Sequence, residues 1–230
     1  MSAWIEMVND DVASPELMDA LSLARTPHGT VDNVMRVHSL RPNTMLGHVK
    51  LYRAALHDEA NTLPMWLQEV IGSYVSMLNQ CAYSYANHWA NASHLMDSPE
   101  RALAVEKALR QQHPERVFEG AELALMRYTQ KLTLTPGAMV QADVQALQDA
   151  GLDDGEMLEA NQIIGYFCYV NRCLNGLGVT TDGDIVVQDL SDPGIIITNN
   201  GGGSFTIEGI PAGADPLITS TNSLTSCQQF

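Results

Sequence analysis

The chain has 230 residues, 45% hydrophobic and 17% charged, enough to bury a sizeable core as one large domain or a domain with an extension. Its 27 acidic and 12 basic residues give a net charge of −15, which repels DNA, RNA and anionic membrane surfaces and excludes nucleic acid as an expected partner. No stretch reaches the roughly 18–20 consecutive apolar residues of a membrane helix.

Met1-Ser2-Ala3-Trp4-Ile5-Glu6 has neither the basic nor the apolar region of a secretory signal. The cysteines, Cys81, Cys168, Cys173 and Cys227, form no CxxC pair. Together these predict a reducing compartment, no structural disulfide and a cytoplasmic location.

Residues 1–45 read as an irregular arm with short helices. Ser14-Pro15-Glu16 starts one, as a cap, a proline at the first helical position and an early acid. Pro27-His28-Gly29 ends it, and a second short helix is expected over 31–40, stopped before Pro42. Residues 43–57 are helical, with Leu46, Val49, Tyr52 and Leu56 as the apolar stripe.

Pro64 begins the next helix, carrying Trp66, Val70, Ile71, Tyr74, Val75 and Leu78 at helical spacing. Asn79 breaks it, and a further helix runs over 80–96. Ser98-Pro99-Glu100 starts another, ending near Gln112, and Pro114 is expected to open the helix that holds Leu125, Tyr128 and Leu132. A helix over 140–150 stops at Gly151, and the last long helix spans about 153–176.

The character changes after Gly178. Residues 179–230 lack Lys and Arg and are rich in Gly, Thr, Ser, Asn and Asp. Asn199-Asn200-Gly201-Gly202-Gly203 lies between β-branched runs and suits a hairpin loop; a loose tail is the alternative. The expected fold is therefore all-α, a multi-helix domain over 1–178, with an irregular or short β extension over 179–230.

The segment from Glu69 to His88 carries the chemistry. On a helix turning about 100° per residue, Ser84 lies about 60° and His88 about 20° behind Cys81, so the three share a face. Ser84 and His88, four apart, are in reach of each other; Cys81 and His88 are about 10 Å apart along the axis. Cys81 sits near the expected helix start, where free N–H groups and the macrodipole favour a thiolate. Glu69, on the preceding helix, is placed to fold back as a proton acceptor. Each residue also has a plain structural reading: Cys81 as a small core residue, His88 as structural or surface-exposed, Ser84 bonded back to a carbonyl, and Glu69 as a solvated acid.

Glu69, eleven residues, Cys81-x-x-Ser84, three residues and His88 resembles the active-site pattern of the alkyl hydroperoxidase D-like (carboxymuconolactone decarboxylase) family, where the pattern is Glu, Cys-x-x-Cys, His. Asn33-Val-Met-Arg-Val-His38, Leu51-Tyr52-Arg53-Ala54-Ala55-Leu56, Tyr128-Thr-Gln-Lys-Leu132 and Gly165-Tyr-Phe-Cys-Tyr-Val-Asn171-Arg172 resemble its peroxidase-related branch. The likeness runs over about residues 27–179. It implies a helical antioxidant fold that assembles as a dimer, trimer or hexamer, with hydroperoxide as substrate and an external thiol as reductant.

By that resemblance Cys81 matches the resolving cysteine, and His88 and Glu69 match the proton relay. Ser84 stands where the peroxidatic cysteine belongs, and a hydroxyl forms neither a sulfenic acid nor a disulfide. Several readings stay open. One is a one-cysteine peroxidase using Cys81, or a peroxidase frozen by substitution at Ser84. Others are acid–base chemistry by His88 and Glu69 of the decarboxylase type, a Ser84–His88–Glu69 hydrolase, and a non-catalytic binding module. No cofactor and no metal is expected, because no zinc-ligand spacing, phosphate loop or dinucleotide fingerprint occurs. His38 and His48 are further pocket candidates, and Asn171-Arg172 is expected to form a structural salt bridge.

Overall fold

The computed structural model describes residues 2–26, 29–96 and 98–184, and the backbone of 196–201 and 204–208. Among these residues the chain forms nine α-helices, three short 3-10 turns and one two-stranded ladder. The helices are α1 (Pro15–Leu23), α2 (Asn33–Arg36), α3 (Pro42–Leu56), α4 (Met65–Leu78) and α5 (Ala82–Leu95). They continue as α6 (Pro99–Arg110), α7 (Gly120–Leu134), α8 (Gln141–Asp149) and α9 (Asp154–Leu177).

The helix starts follow local chemistry. Ser14 and Ser98 accept from the N–H groups of Leu17 and Arg101, each ahead of a proline at the first helical position. Asp153 and Glu156 form a reciprocal capping box at the start of α9. That helix stops at Gly178, which adopts φ 60°. A Cβ there would lie 2.1 Å from the Trp4 ring, so glycine serves both the left-handed turn and the contact with the N-terminal segment.

Helix α4 is the centre of the molecule. It packs on α5, α7 and α9, and its residues from Leu67 through Ser76 are all buried, the signature of a helix covered on every side. Gly72 lets α9 approach: a Cβ there would lie 2.2 Å from the Phe167 ring. Phe167 is fully buried beside Ile163, Ile164 and Val170.

Three sequence expectations are corrected. Residues 1–45 carry the expected short helices in an irregular segment but do not stand off as an arm: Ala3, Leu17, Ala20, Leu21, Val34 and Met35 belong to the main core, and the Trp4 N–H donates to the Leu177 carbonyl at 2.8 Å. The helix expected over 31–40 is a single turn, α2, followed by further turns. Pro114 opens only a 3-10 turn (Pro114–Arg116), because Val117 leaves helical geometry and Glu119 turns extended, carrying Phe118 into the core before α7 begins.

Strands β1 (Ile196–Gly201) and β2 (Ser204–Glu208) pair antiparallel, Ile197 opposite Ile207, with a register shift between Asn199 and Gly201. The rest of the extension, with the Ile185–Val187 run and Cys227, lies outside the described residues, as do Pro27 and His28.

Candidate functional site

Helices α4 and α5 form a tight antiparallel pair, and the turn between them positions the site. The C-cap Asn79 is followed by Gln80 at φ 55°, and the Cys81 N–H closes the turn on the Ser76 carbonyl at 2.9 Å. Cys81 is the N-cap residue of α5. That places His88 two turns along, beside Glu69 of α4.

Glu69 is 2% exposed, which overturns its reading as a solvated acid. Its Oε2 lies 2.7 Å from His88 Nδ1. A carboxylate oxygen only accepts, so Nδ1 carries the hydrogen and Nε2 is the nitrogen left to exchange a proton. Asn91, one turn beyond His88, directs its NH2 to Glu69 Oε1 at 3.5 Å. Phe167 meets the His88 ring edge to face at 4.6 Å. The Glu69–His88 pair is therefore fixed by three elements: α4 supplies Glu69 and the Gly72 gap, α5 His88 and Asn91, and α9 the aromatic wall.

The thiol end differs. Cys81 is 1% exposed, and burial pushes its thiol up, against smaller opposing contributions from the Ser84 N–H, the Ser84 hydroxyl and the Tyr83 N–H. The expected thiolate is thus overruled: N–H groups do converge on the sulfur, but desolvation outweighs them. The Ser84 hydroxyl serves Cys81, and among the described residues no hydrogen bond joins it to His88, so the hydrolase arrangement is not formed. Cys81, Cys168 and Cys173 are free thiols. The Asn79 side chain reaches Cys168 Sγ at 3.8 Å, so Cys168 lies near the turn without bridging to Cys81.

Tyr83, between the two site residues, anchors the helix start. Its hydroxyl accepts from the Val34 N–H at 3.1 Å and donates to Asp184. Asp184 also takes the Asn33 N–H at 2.9 Å, while the Asn33 side chain holds the Thr180 and Asp182 carbonyls. Asp32 beside this clasp is raised to about 7 by burial and by the Asp184 charge.

Behind the Glu69–His88 pair stand further buried and partly buried residues, among them His48 and His38, the two other histidines that the sequence offered for the pocket, and His57 and Tyr166, to which it assigned no place. His48 is buried, with Nδ1 3.0 Å from His38 Nε2 and Nε2 2.9 Å from the Tyr166 hydroxyl. Burial, then the His38 charge, pushes it down to about 3. Tyr166 precedes Phe167, so this chain backs the aromatic wall. His57, at the end of α3, packs on Tyr52 at 4.8 Å with both ring nitrogens buried and unbonded. Burial lowers its pKa, while Glu69 raises it. Periodicity marks helix faces but says nothing of which helices meet, so the sequence named His38 and His48 without their partners, and the place of His57 was not detectable, whereas Asn91, three residues beyond His88, was. The expected Asn171-Arg172 salt bridge is absent: Asn171 pairs with Ser76 of α4 and Arg172 donates to the Cys168 carbonyl.

Among the described residues no group of three His, Cys, Asp or Glu side chains is arranged to hold a metal ion, and no helix is long and apolar enough to cross a membrane.

No protein-family model matches the chain, and no curated protein matches its sequence. Solved structures do match. An uncharacterized peroxidase-related protein from Ralstonia eutropha, described as an alkylhydroperoxidase AhpD core, superposes with a TM-score of 0.69 at 18% identity, covering 82% of this chain and 96% of that one. A peroxidase-related protein from a Silicibacter species gives 0.69 at 18% identity, over 81% and 95%. The debrominase Bmp8 gives 0.62 at 14% identity, over 80% and 92%, so similar folds carry more than one chemistry. The chain has the all-helical fold of the alkyl hydroperoxidase D-like, peroxidase-related proteins.

Proposed function

We propose that the chain is a member of the alkyl hydroperoxidase D-like family, peroxidase-related branch, that works as a proton-transfer enzyme on a small molecule, with Glu69 and His88 as its acid–base pair. The carrying observation is the 2.7 Å contact between the buried Glu69 and the partly buried His88. Glu69 fixes the His88 tautomer, and Nε2 takes a proton from the substrate or returns one. Such transfer contributes about 10²–10⁴ in rate. The neighbouring thiol is buried and protonated, and Ser84 cannot form a sulfenic acid, so electron transfer by a cysteine pair is closed at this site.

A second reading, one-cysteine redox chemistry with hydroperoxide as substrate and an external thiol as reductant, is favoured by one observation. Two N–H groups and the Ser84 hydroxyl converge on the Cys81 sulfur, as thiolate chemistry requires. Hydroperoxide consumption with dithiothreitol separates the two. Acid–base chemistry expects the native chain and Cys81→Ala to be equally inert. Consumption by the native chain that vanishes in Cys81→Ala would overturn that reading and establish the second.

A cytoplasmic location, a helical domain ending at 178 and assembly as a dimer, trimer or hexamer belong to the same proposal. Sedimentation velocity measures the assembly directly.

A further inference from the structure

Four helices end on the same turn, in which a residue of positive φ at or just past the cap is followed by an N–H that closes back on the last helical turn. After α8 and α9 that residue is glycine, Gly151 at φ 94° and Gly178 at φ 60°. After α4 and α6 it is glutamine, Gln80 at φ 55° and Gln112 at φ 57°. The closing bonds match: Cys81 N–H to Ser76 O and His113 N–H to Ala108 O, both 2.9 Å. A Cβ at such a position is strained, and glycine relieves the strain. Turn geometry therefore gives no reason for glutamine, and strain of this kind points to function where it gathers at a cavity.

Both glutamines line one pocket of about 440 Å³, with Cys81, Tyr85 and Arg110 among its polar wall and Leu109 and Leu134 in its apolar part. Neither Glu69 nor His88 lines it, so it is separate from the relay. The Arg110 guanidinium stacks on Tyr85 at 4.6 Å, and its Nε and Nη2 donate to Glu106 Oε1, which leaves Nη1 outside the pair. Gln112 Oε1 accepts from Gln130 Nε2 at 2.9 Å, which leaves its own NH2 to donate. Arg110 Nη1 and the Gln112 NH2 are thus donors left at the pocket, and its size suits a small organic ligand.

We propose that this pocket binds a small carboxylic acid. The carboxylate accepts from Arg110 Nη1 and from the Gln80 and Gln112 amides, and the hydrocarbon part packs on Leu109 and Leu134. Glu106 and the net charge of −15 oppose the anion, so binding is weak and is read against a matched neutral probe.

Titrating ¹⁵N-labelled protein with phenylacetate, and separately with phenylacetamide, tests this. Phenylacetate is expected to shift the backbone amides of Gln80, Cys81, Tyr85, Arg110 and Gln112 first, and to bind about tenfold more tightly than the amide. Arg110→Gln removes that preference. Gln80→Gly and Gln112→Gly each raise Tm, by about 2 °C, while weakening phenylacetate several-fold. The proposal is overturned by the absence of saturable shifts, by shifts centred elsewhere or by equal affinity for the two probes. Glycine variants that bind undiminished, or that lower Tm, overturn it as well.

Discussion

Helix α5 holds two halves of one candidate site, Cys81 at its N-cap and His88 at its middle, and the two halves differ in what surrounds them. Around His88 every part is in place: a buried acid 2.7 Å away, Asn91 on its second oxygen and Phe167 against the ring. Around Cys81 the geometry is in place but the chemistry is not. The N–H groups meet the sulfur, yet burial holds the proton on it, and the residue one turn on is a serine. A proton relay needs position and a tautomer; a redox thiol needs access and a stable thiolate. The fold supplies the first pair of requirements completely and the second only in part.

The largest expected effect comes from restoring the missing thiol. Ser84→Cys is predicted to gain hydroperoxide consumption with dithiothreitol, since the relay already stands behind position 84. Adding His88→Ala should cut that gained rate by about 10²–10⁴. Equal rates in the single and double variants would mean that the relay half does not serve the thiol half, and the comparison would fail.

This division was only half visible in the sequence. The spacing of Glu69, Cys81 and His88 placed them on two adjacent helices correctly, because periodicity and caps are local properties. Ser14, Ser98 and Asp153 announced their helix starts for the same reason. Burial is not local. Nothing in the sequence around Cys81 states that the helix start is buried, so a thiolate was expected where desolvation disfavours one. Pro114 reads as a helix start, but Phe118 must reach the core, and that demand breaks the helix until Gly120. His48 and Tyr166 are 118 residues apart and meet only through the packing of α3 on α9.

The two halves also lean on groups that titrate in opposite senses. The relay half is backed by His48, held neutral down to about pH 3. Its unfolded form protonates near 6.5, so the stability it contributes is present above pH 6.5 and is lost as pH falls toward 3, by at most about 1.4 kcal/mol per pH unit. The thiol half is held by the Tyr83–Asp184 clasp beside Asp32, raised from 3.8 to about 7. That contribution is present below pH 3.8 and is lost as pH rises through 7. Thermal melts across pH 4–8 should therefore respond differently to two variants. His48→Gln flattens the loss of stability on the acid side, and Asp32→Asn removes a fall toward neutrality, so that stability climbs more steeply from pH 4 to 7. Identical profiles for both would remove the electrostatic distinction between the halves.

Gly72→Ala probes the relay half through its packing. The added Cβ collides with the Phe167 ring, which is enclosed and has no space to retreat into. Overpacking of this kind costs about 1–3 kcal/mol. Because Phe167 is the wall against His88, the variant should also move the His88 imidazole resonances while leaving those of Tyr83 nearly unchanged. If both sets move together, the halves are one packing unit rather than two.

Ser84→Ala should have the smallest effect and the most specific one. The hydroxyl is one of three groups opposing burial at the Cys81 sulfur, and the weaker of the two that Ser84 supplies. Removing it leaves both N–H groups in place, so stability should change by no more than about 1 kcal/mol, the net worth of one hydrogen bond. The thiol, however, should titrate higher still, and alkylation by iodoacetamide at a fixed pH should slow. An unchanged alkylation rate would show that Ser84 does not act on the sulfur, and the serine would then be filling space rather than tuning what remains of the thiol site.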